Sequence, residues 1–236
     1  FAPASRKVRP LRRPRWSAEL QRRSQWALDT FGIVTRDRSL LEMLTEVSTI
    51  AKSDLPVLIL GESGTGKELV AKGVHELSGR TGQFVAINCS AIPATMLEDE
   101  FFGHVNGAFT SAAGDKAGLL EIADAGSVFM DEIGEMSLDL QAKLLRFLET
   151  NEFRRIGGTR NVRVDTRVVA ATNRDREKMQ NGDGFRSDLY YRLAHAVYTL
   201  PPLRQRGDDV ELLVDFFLED FCKQHHKSIS LSASAR

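Results

Sequence analysis

Val57-Leu58-Ile59-Leu60-Gly61-Glu62-Ser63-Gly64-Thr65-Gly66-Lys67-Glu68-Leu69 is the stretch that decides the fold. A continuous apolar run leads into a glycine-rich loop, and a helix-like segment from Glu68 to Lys72 follows. A short apolar run of this kind reads as a strand buried on both faces. Three glycines let the backbone curl so that its N–H groups turn inward toward phosphate oxygens. Lys67 adds a mobile positive charge for the β- and γ-phosphates. The N-terminal dipole of the following helix favours the same anion. The residues alone also suit a glycine-rich turn without a ligand, but a strand on one side and a helix on the other favour the phosphate loop. Glu68 departs from the strict pattern, in which Ser or Thr after the lysine binds magnesium.

Working outward, further apolar runs occur at Phe84 to Asn88, Ser127 to Asp131, Arg167 to Thr172 and Ala196 to Leu200. Like Val57 to Leu60, they are continuous rather than alternating, as strands covered on both faces should be. Helical periodicity lies between them. Leu138, Gln141, Leu144, Leu145 and Leu148 form a stripe at i, i+3/i+4 spacing. This alternation predicts an α/β fold, a parallel five-stranded sheet flanked by helices. Phosphate loops in such sheets sit at the carboxyl end of a strand, so the remaining chemistry is expected at neighbouring strand ends. Pro201-Pro202 marks a boundary, after which Val210 to Leu218 reads as an amphipathic helix. The expected organisation is a basic linker or tail over 1–30, an α/β unit over 31–203, and the incomplete start of a helical lid over 204–236.

Val128-Phe129-Met130-Asp131-Glu132 has the form of a strand ending in two acids. Asp131 can hold magnesium, largely through water, and Glu132 can polarise an attacking water. Acids at a strand end equally cap a following helix. Paired with the glycine loop, the catalytic reading is the stronger one. Phosphate oxygens, water and Asp131 would complete the magnesium shell that Glu68 does not serve.

Lys+Arg and Asp+Glu both total 32, so the net charge names no partner. Its distribution is uneven. Arg6, Lys7, Arg9, Arg12, Arg13, Arg15, Arg22 and Arg23 stand against one acid, Glu19, in the first 23 residues. A solvated linker, a transit-peptide-like leader and a nucleic-acid-binding arm all fit that composition. Cys89 and Cys222 are the two cysteines and form no CxxC pair, which disfavours zinc and a disulfide framework. A reduced, cytoplasmic setting is expected, with no membrane partner, because no apolar run approaches the ~20 residues of a spanning helix. The chain reads as a fragment of a longer protein.

Taken in order, these motifs resemble the AAA+ ATPase domain of sigma-54-dependent transcription activators, the bacterial enhancer-binding proteins. The resemblance covers roughly residues 30 to 220. Gly61 to Glu68 is similar to that family's phosphate loop, including the glutamate after the lysine. Phe102-Gly103-His104-Val105-Asn106-Gly107-Ala108-Phe109-Thr110-Ser111-Ala112 is similar to its GAFTGA surface loop. Phe129 to Met136 matches its second nucleotide motif and Ala170 to Asp175 its sensor strand. Phe185 to Leu193, followed by Leu200-Pro201-Pro202-Leu203-Arg204, matches the segment before the lid.

The resemblance implies roles for these residues. ATP and Mg2+ would be the ligands of a Mg-dependent ATPase. Gly61, Glu62, Ser63, Gly64, Thr65, Gly66, Lys67, Glu68 and Leu69 would hold the nucleotide, with Ile33 and Val34 on the adenine side and Arg204 from the lid segment. Asp131 would support magnesium and Glu132 would activate water. Asn88 would pair with Glu132 and switch it, although its residue type alone suits a strand-end cap. Thr172 and Asn173 would sense the γ-phosphate. Arg186 and Arg192 would reach the next subunit's nucleotide in a hexameric ring; as ordinary arginines they would instead pair with Asp183 and Asp188 on the surface.

The small-residue loop carrying Phe109 suits either a contact surface or a turn whose aromatic packs inward. In the family, Gly107, Ala108, Phe109, Thr110, Ser111 and Ala112 would meet sigma-54 RNA polymerase, with a second loop from Glu152 to Gly158 beside them. ATP hydrolysis would then open the promoter complex, and promoter or enhancer DNA would be met through a domain outside this chain. Two positions depart from the pattern. Ser111 stands where the family has glycine, and a serine there disfavours positive φ by about a kcal/mol or more. Thr35 stands where glycine is frequent. The departure at Ser111 leaves open an ATP-binding regulatory module that oligomerises without opening sigma-54 promoters, or an ATPase acting on another client.

Overall fold

The computed structural model describes residues 17–110, 112–229 and 231. The first sixteen residues of the basic linker or tail expected over 1–30, and the strain expected at Ser111, lie outside them. The first helix, α1 (Ala18–Phe31), is capped by Ser17, whose Oγ accepts from the Leu20 N–H at 3.2 Å. This differs from the linker expected over 1–30. Leu20, Ala27 and Phe31 are buried, so the second half of the basic segment is part of the core. Phe31 packs so closely on Gly73 that a Cβ at that glycine would sit 2.1 Å from the ring.

The main chain then runs through α2 (Arg38–Ile50), β1 (Val57–Leu60), α3 (Lys67–Ser78), β2 (Phe84–Asn88) and α4 (Ala94–Phe102). A small antiparallel pair, β3 (Gly103–His104) and β4 (Lys116–Ala117), flanks the loop that carries Phe109. Next come α5 (Leu119–Ile122), β5 (Ser127–Asp131) and α6 (Leu138–Thr150), then the hairpin of β6 (Glu152–Arg154) and β7 (Asn161–Arg163). The chain ends with β8 (Arg167–Thr172), α7 (Arg176–Gln180), α8 (Ser187–Leu193), β9 (Ala196–Thr199) and α9 (Asp209–Gln224).

All five expected strands join one parallel sheet in the order β2-β5-β8-β1-β9. Alternation divides their side chains between two layers. Val57, Ile59, Phe129, Val169 and Ala171 face the core under α1, α2 and α3. Leu58, Leu60, Val128, Met130, Val168 and Ala170 face the core under α4, α6 and α8. Burial on both faces holds for β1, β5 and β8 but not for the edges, since only Ile87 of β2 and Ala196 of β9 are buried. The stripe expected on α6 is also rotated. Gln141 and Leu144 are buried as expected, but Leu138 is exposed, and Leu140 and Phe147 complete the buried stripe.

His75, near the end of α3, places Nδ1 3.0 Å from Ser127 Oγ at the start of β5 and leans on the Phe84 ring. Burial lowers its pKa from the ordinary 6.5. The unfolded chain therefore binds the proton more readily than the folded one. The stability His75 supports is present above about 6.5 and falls as pH drops through that value. Urea unfolding at a series of pH values is expected to show this slope, and to show it reduced in His75→Gln. An unchanged slope in that variant would assign the acid sensitivity elsewhere.

Candidate functional site

The carboxyl ends of β5, β8 and β1 lie side by side, and each contributes to one site. The loop after β1 is fixed at both ends. Gly61 N–H donates to the Thr172 carbonyl at 3.1 Å, and Thr65 Oγ1 donates to the Glu62 carbonyl at 2.8 Å. A Cβ on Gly61 would stand 2.9 Å from Thr65 Oγ1 and 3.2 Å from the Leu200 carbonyl, so the close approach requires glycine. Gly66 has φ 100, a conformation side chains disfavour, and the chain passes directly from it into α3.

Lys67 is 5% exposed, and its ammonium faces three acceptors. These are the Gly61 carbonyl at 3.0 Å, the Glu62 carbonyl at 3.3 Å and Glu132 Oε1 at 3.3 Å. The other Glu132 oxygen accepts from the Asn173 N–H at 3.1 Å. Glu132 is thus held between the phosphate-type loop and the end of β8. Its backbone is left-handed, at φ 51 and ψ 46, which is costly for a non-glycine residue and found at sites that over-determine it. Asp131 Oδ1 accepts from the Glu132 N–H at 3.0 Å. Burial raises the Asp131 pKa, opposed by the Lys67 charge. Burial and the two acids push the neighbouring Cys89 thiol up to about 12, which keeps it protonated and unreactive.

Thr172 is fully buried and receives the Arg174 N–H on its hydroxyl at 3.1 Å. Asn88 lies opposite Asp131 in the β2–β5 register, but its described hydrogen bonds go elsewhere. Its Oδ1 accepts from the Ser90 N–H at 2.9 Å and the Ser90 hydroxyl at 2.7 Å, the strand-end cap its residue type suits. Ile33 is buried in the core beneath α1 and α2, whereas Val34 is half-buried and Leu69 is exposed. Ser63, Gly64 and Glu68 are exposed along the loop. Arg204 meets Glu62 in a bidentate pair at 2.7 and 2.6 Å, with both side chains more than half exposed.

The two arginines before the lid lie apart from this cluster. Arg192 donates to the Leu148 carbonyl at 3.2 and 2.8 Å. It shares a hollow with Asp54, Leu55, Pro56, Thr166 and His195, at the amino ends of β1 and β8, the opposite end of the sheet from Lys67. Arg186 pairs with Asp188 at 3.0 and 2.7 Å, one of the surface partners its residue type allows.

The Phe109 loop stands on the β3–β4 pair. Gly107 N–H donates to the Ala112 carbonyl at 3.1 Å, and Ala112 N–H to the Phe109 carbonyl at 2.9 Å. Phe109 is 41% exposed and sets its ring edge-to-face on His104 at 4.9 Å, a resting place between the two expected extremes. The second loop does sit beside the first, with Val105 and Ile156 joined by a 3.1 Å backbone bond.

Sequence reasoning missed Arg206 and Asp209. Both are buried: Arg206, in the turn before α9, donates to the Thr65 carbonyl of the loop, and Asp209, at the start of α9, accepts from the Thr35 hydroxyl.

Comparison with known proteins agrees with this architecture. The family model described as the Sigma-54 interaction domain matches residues 33–199. The Nif-specific regulatory protein of Bradyrhizobium diazoefficiens is 47% identical over 214 residues, 90% of this chain and 37% of that protein. The formate hydrogenlyase transcriptional activator of Salmonella typhimurium is 48% identical over 201 residues, 84% of this chain and 29% of that protein. The chain thus spans about a third of the length of these curated relatives. A solved structure of NtrX from Brucella abortus in complex with ATP aligns with a TM-score of 0.73 and 33% identity, over 87% of this chain and 47% of that one. The strand order, the loop after β1 and the acids after β5 are therefore those of a P-loop AAA+ core, and the chain belongs to the sigma-54 interaction domain family.

Proposed function

We propose that this domain binds ATP over the Gly61 to Lys67 loop, hydrolyses it where two copies of the chain meet, and relays the event through the Phe109 loop to sigma-54 RNA polymerase. One observation carries the reading. The Lys67 ammonium, the Glu132 carboxylate and the Asn173 N–H form a single chain of contacts at 3.3 and 3.1 Å, at the mouth of a glycine loop. A phosphate oxygen in that loop competes for the Lys67 donors now spent on carbonyls and on Glu132. Glu132, released from the lysine, is then free to accept a proton from water, while Asn173 keeps its other oxygen oriented. Asp131, beside them, suits magnesium, a hard cation that takes oxygen ligands and keeps several waters. Magnesium when bound would neutralise developing phosphate charge.

Arg192, at the far end of the same sheet, suits the nucleotide of a neighbouring copy rather than its own, and Arg186, exposed at the start of α8, is the second arginine proposed to face that neighbour. Among the described residues, no helix is long and apolar enough to cross a membrane. Magnesium-dependent ATP hydrolysis by the full-length protein, with and without sigma-54 polymerase, tests the reading. Turnover per subunit is expected to rise steeply with protein concentration as rings assemble. A rate proportional to concentration throughout would contradict the shared site.

Phe109 is half exposed and rests on one imidazole, so Phe109→Ala removes little packing. The variant is expected to hydrolyse ATP normally and to lose open-complex formation, scored by strand-opening footprints at a sigma-54 promoter. Promoter opening that survives would show the loop assignment to be wrong. Turnover without promoter opening in the unmodified chain would favour the regulatory-module reading.

A further inference from the structure

Arg206 lies behind the phosphate loop rather than in it. Its Nη2 donates to the Thr65 carbonyl at 2.6 Å and its Nε to the Pro201 carbonyl at 2.8 Å, with 7% of the residue exposed. Asp209, one turn further on, is fully buried. It accepts from the Thr35 hydroxyl at 2.6 Å and the Arg36 N–H at 2.7 Å. Thr35 in turn receives Ser24 Oγ on its carbonyl at 2.6 Å and the Asp37 N–H on its hydroxyl at 3.1 Å. The turn before α9 is therefore fastened to the phosphate loop through Arg206, and the first turn of α9 to the segment between α1 and α2 through Asp209. The exposed Glu62–Arg204 pair is a third and more yielding tie.

Peptide geometry gives the Arg206 bond a consequence. Among the described residues every peptide bond is trans. In a trans peptide the C=O and the next N–H point in opposite directions. A Thr65 carbonyl held outward by a buried guanidinium aims the Gly66 N–H inward, across the mouth of the loop. Without that anchor, the rotation of this peptide plane is left to the bonds of Thr65 to Glu62 and to the flexibility of Gly66.

We propose that Arg206 is a positioning residue for phosphate binding, fixing the Thr65–Gly66 peptide so that its N–H faces the nucleotide, and that Asp209 and Thr35 fasten the helix that follows it. The inference rests on the ATP reading above and deepens it. Arg206 touches no substrate atom in this role. Thr35, where glycine is frequent in the family pattern, supplies the hydroxyl that a glycine would lack.

Titration of the full-length protein with a fluorescent mant-ATP tests the inference. Arg206→Met keeps an unbranched apolar stem in the buried position but neither bond. It is expected to weaken mant-ATP binding roughly tenfold, the size of one lost charge-assisted hydrogen bond. Arg206→Lys, which keeps a charged donor for the Thr65 carbonyl, is expected to recover most of that loss at an equal melting temperature. Wild-type affinity in Arg206→Met, or equal loss in both variants, overturns the proposal. Should Arg206→Met fail to fold, a crystal structure of the wild-type protein with ADP decides. Arg206 still on the Thr65 carbonyl, with the Gly66 N–H on a phosphate oxygen, supports it; a Thr65 carbonyl turned inward, or Arg206 on a phosphate, overturns it. A wild-type protein that takes up no mant-ATP overturns the nucleotide reading as well, whereas tight wild-type binding unaffected by Arg206→Met overturns this inference alone.

Discussion

Glu132→Gln is expected to retain ATP while its turnover falls by on the order of 10²- to 10⁴-fold, the usual range for losing a positioned base. The substitution is isosteric and sits at a place where shape matters. The residue at 132 must hold a left-handed backbone and reach two partners at once, Lys67 at 3.3 Å and the Asn173 N–H at 3.1 Å. Glutamine can still accept from one of them, so the backbone path is kept. What it cannot do is take a proton. Removing the carboxylate also frees Lys67 from a buried ion pair, which favours phosphate binding rather than opposing it. Measuring mant-ATP affinity and phosphate release on the same sample separates the two effects. Rapid release by the variant would remove Glu132 from the mechanism.

Arg192→Ala is expected to lower turnover by roughly 10³-fold or more, as the loss of an arginine supplied across an interface does in related phosphoryl transfer. The argument rests on placement. Within one subunit Arg192 shares its hollow with residues that precede β1 and β8, while Lys67 and Glu132 follow the carboxyl ends of β1 and β5. A rigid parallel sheet stands between them, so no side-chain rotation brings Arg192 to its own loop. Its bonds to the Leu148 carbonyl cap the end of α6 and are exposed, so their loss costs about 1 kcal/mol or less. Melting temperature and mant-ATP affinity of the dilute variant should therefore stay near wild type. A variant with full turnover at ring-forming concentration would contradict the shared site.

The fold was largely legible, because a parallel sheet writes itself as continuous apolar runs between glycines and helices. The central strands β1, β5 and β8 obey that rule fully. The edges β2 and β9 were recognisable as strands, but their exposure was not, since strand order is a property of the whole chain. α1 was hidden by arginines on its exposed face, although Ser17 and the spacing of Leu20, Ala27 and Phe31 were present. On α6, the i, i+3/i+4 spacing includes Leu138, yet the tertiary contacts select Leu140 and Phe147.

At the site, the grouping of Lys67, Asp131, Glu132, Thr172 and Asn173 was legible because Lys67 begins α3, Asp131 and Thr172 end β5 and β8, and Glu132 and Asn173 follow them directly; their roles toward a nucleotide are the proposal above. The bond between Asn88 and Ser90 had a local signal, an Asn two residues before a Ser. Arg206 and Asp209 had none. Their partners Thr65 and Thr35 lie 141 and 174 residues away, and only the folded chain brings them together.

ATP turnover in an equimolar mixture of Lys67→Ala and Arg192→Ala subunits tests the shared site most directly. Each variant alone lacks half of every site. In a mixed ring, an Arg192→Ala subunit offers an intact loop and a Lys67→Ala neighbour offers an intact arginine, so about a quarter of the junctions are complete by random pairing. Activity well above the sum of the two variants is the predicted result. A mixture no more active than that sum would contradict a nucleotide held between neighbouring copies of this chain.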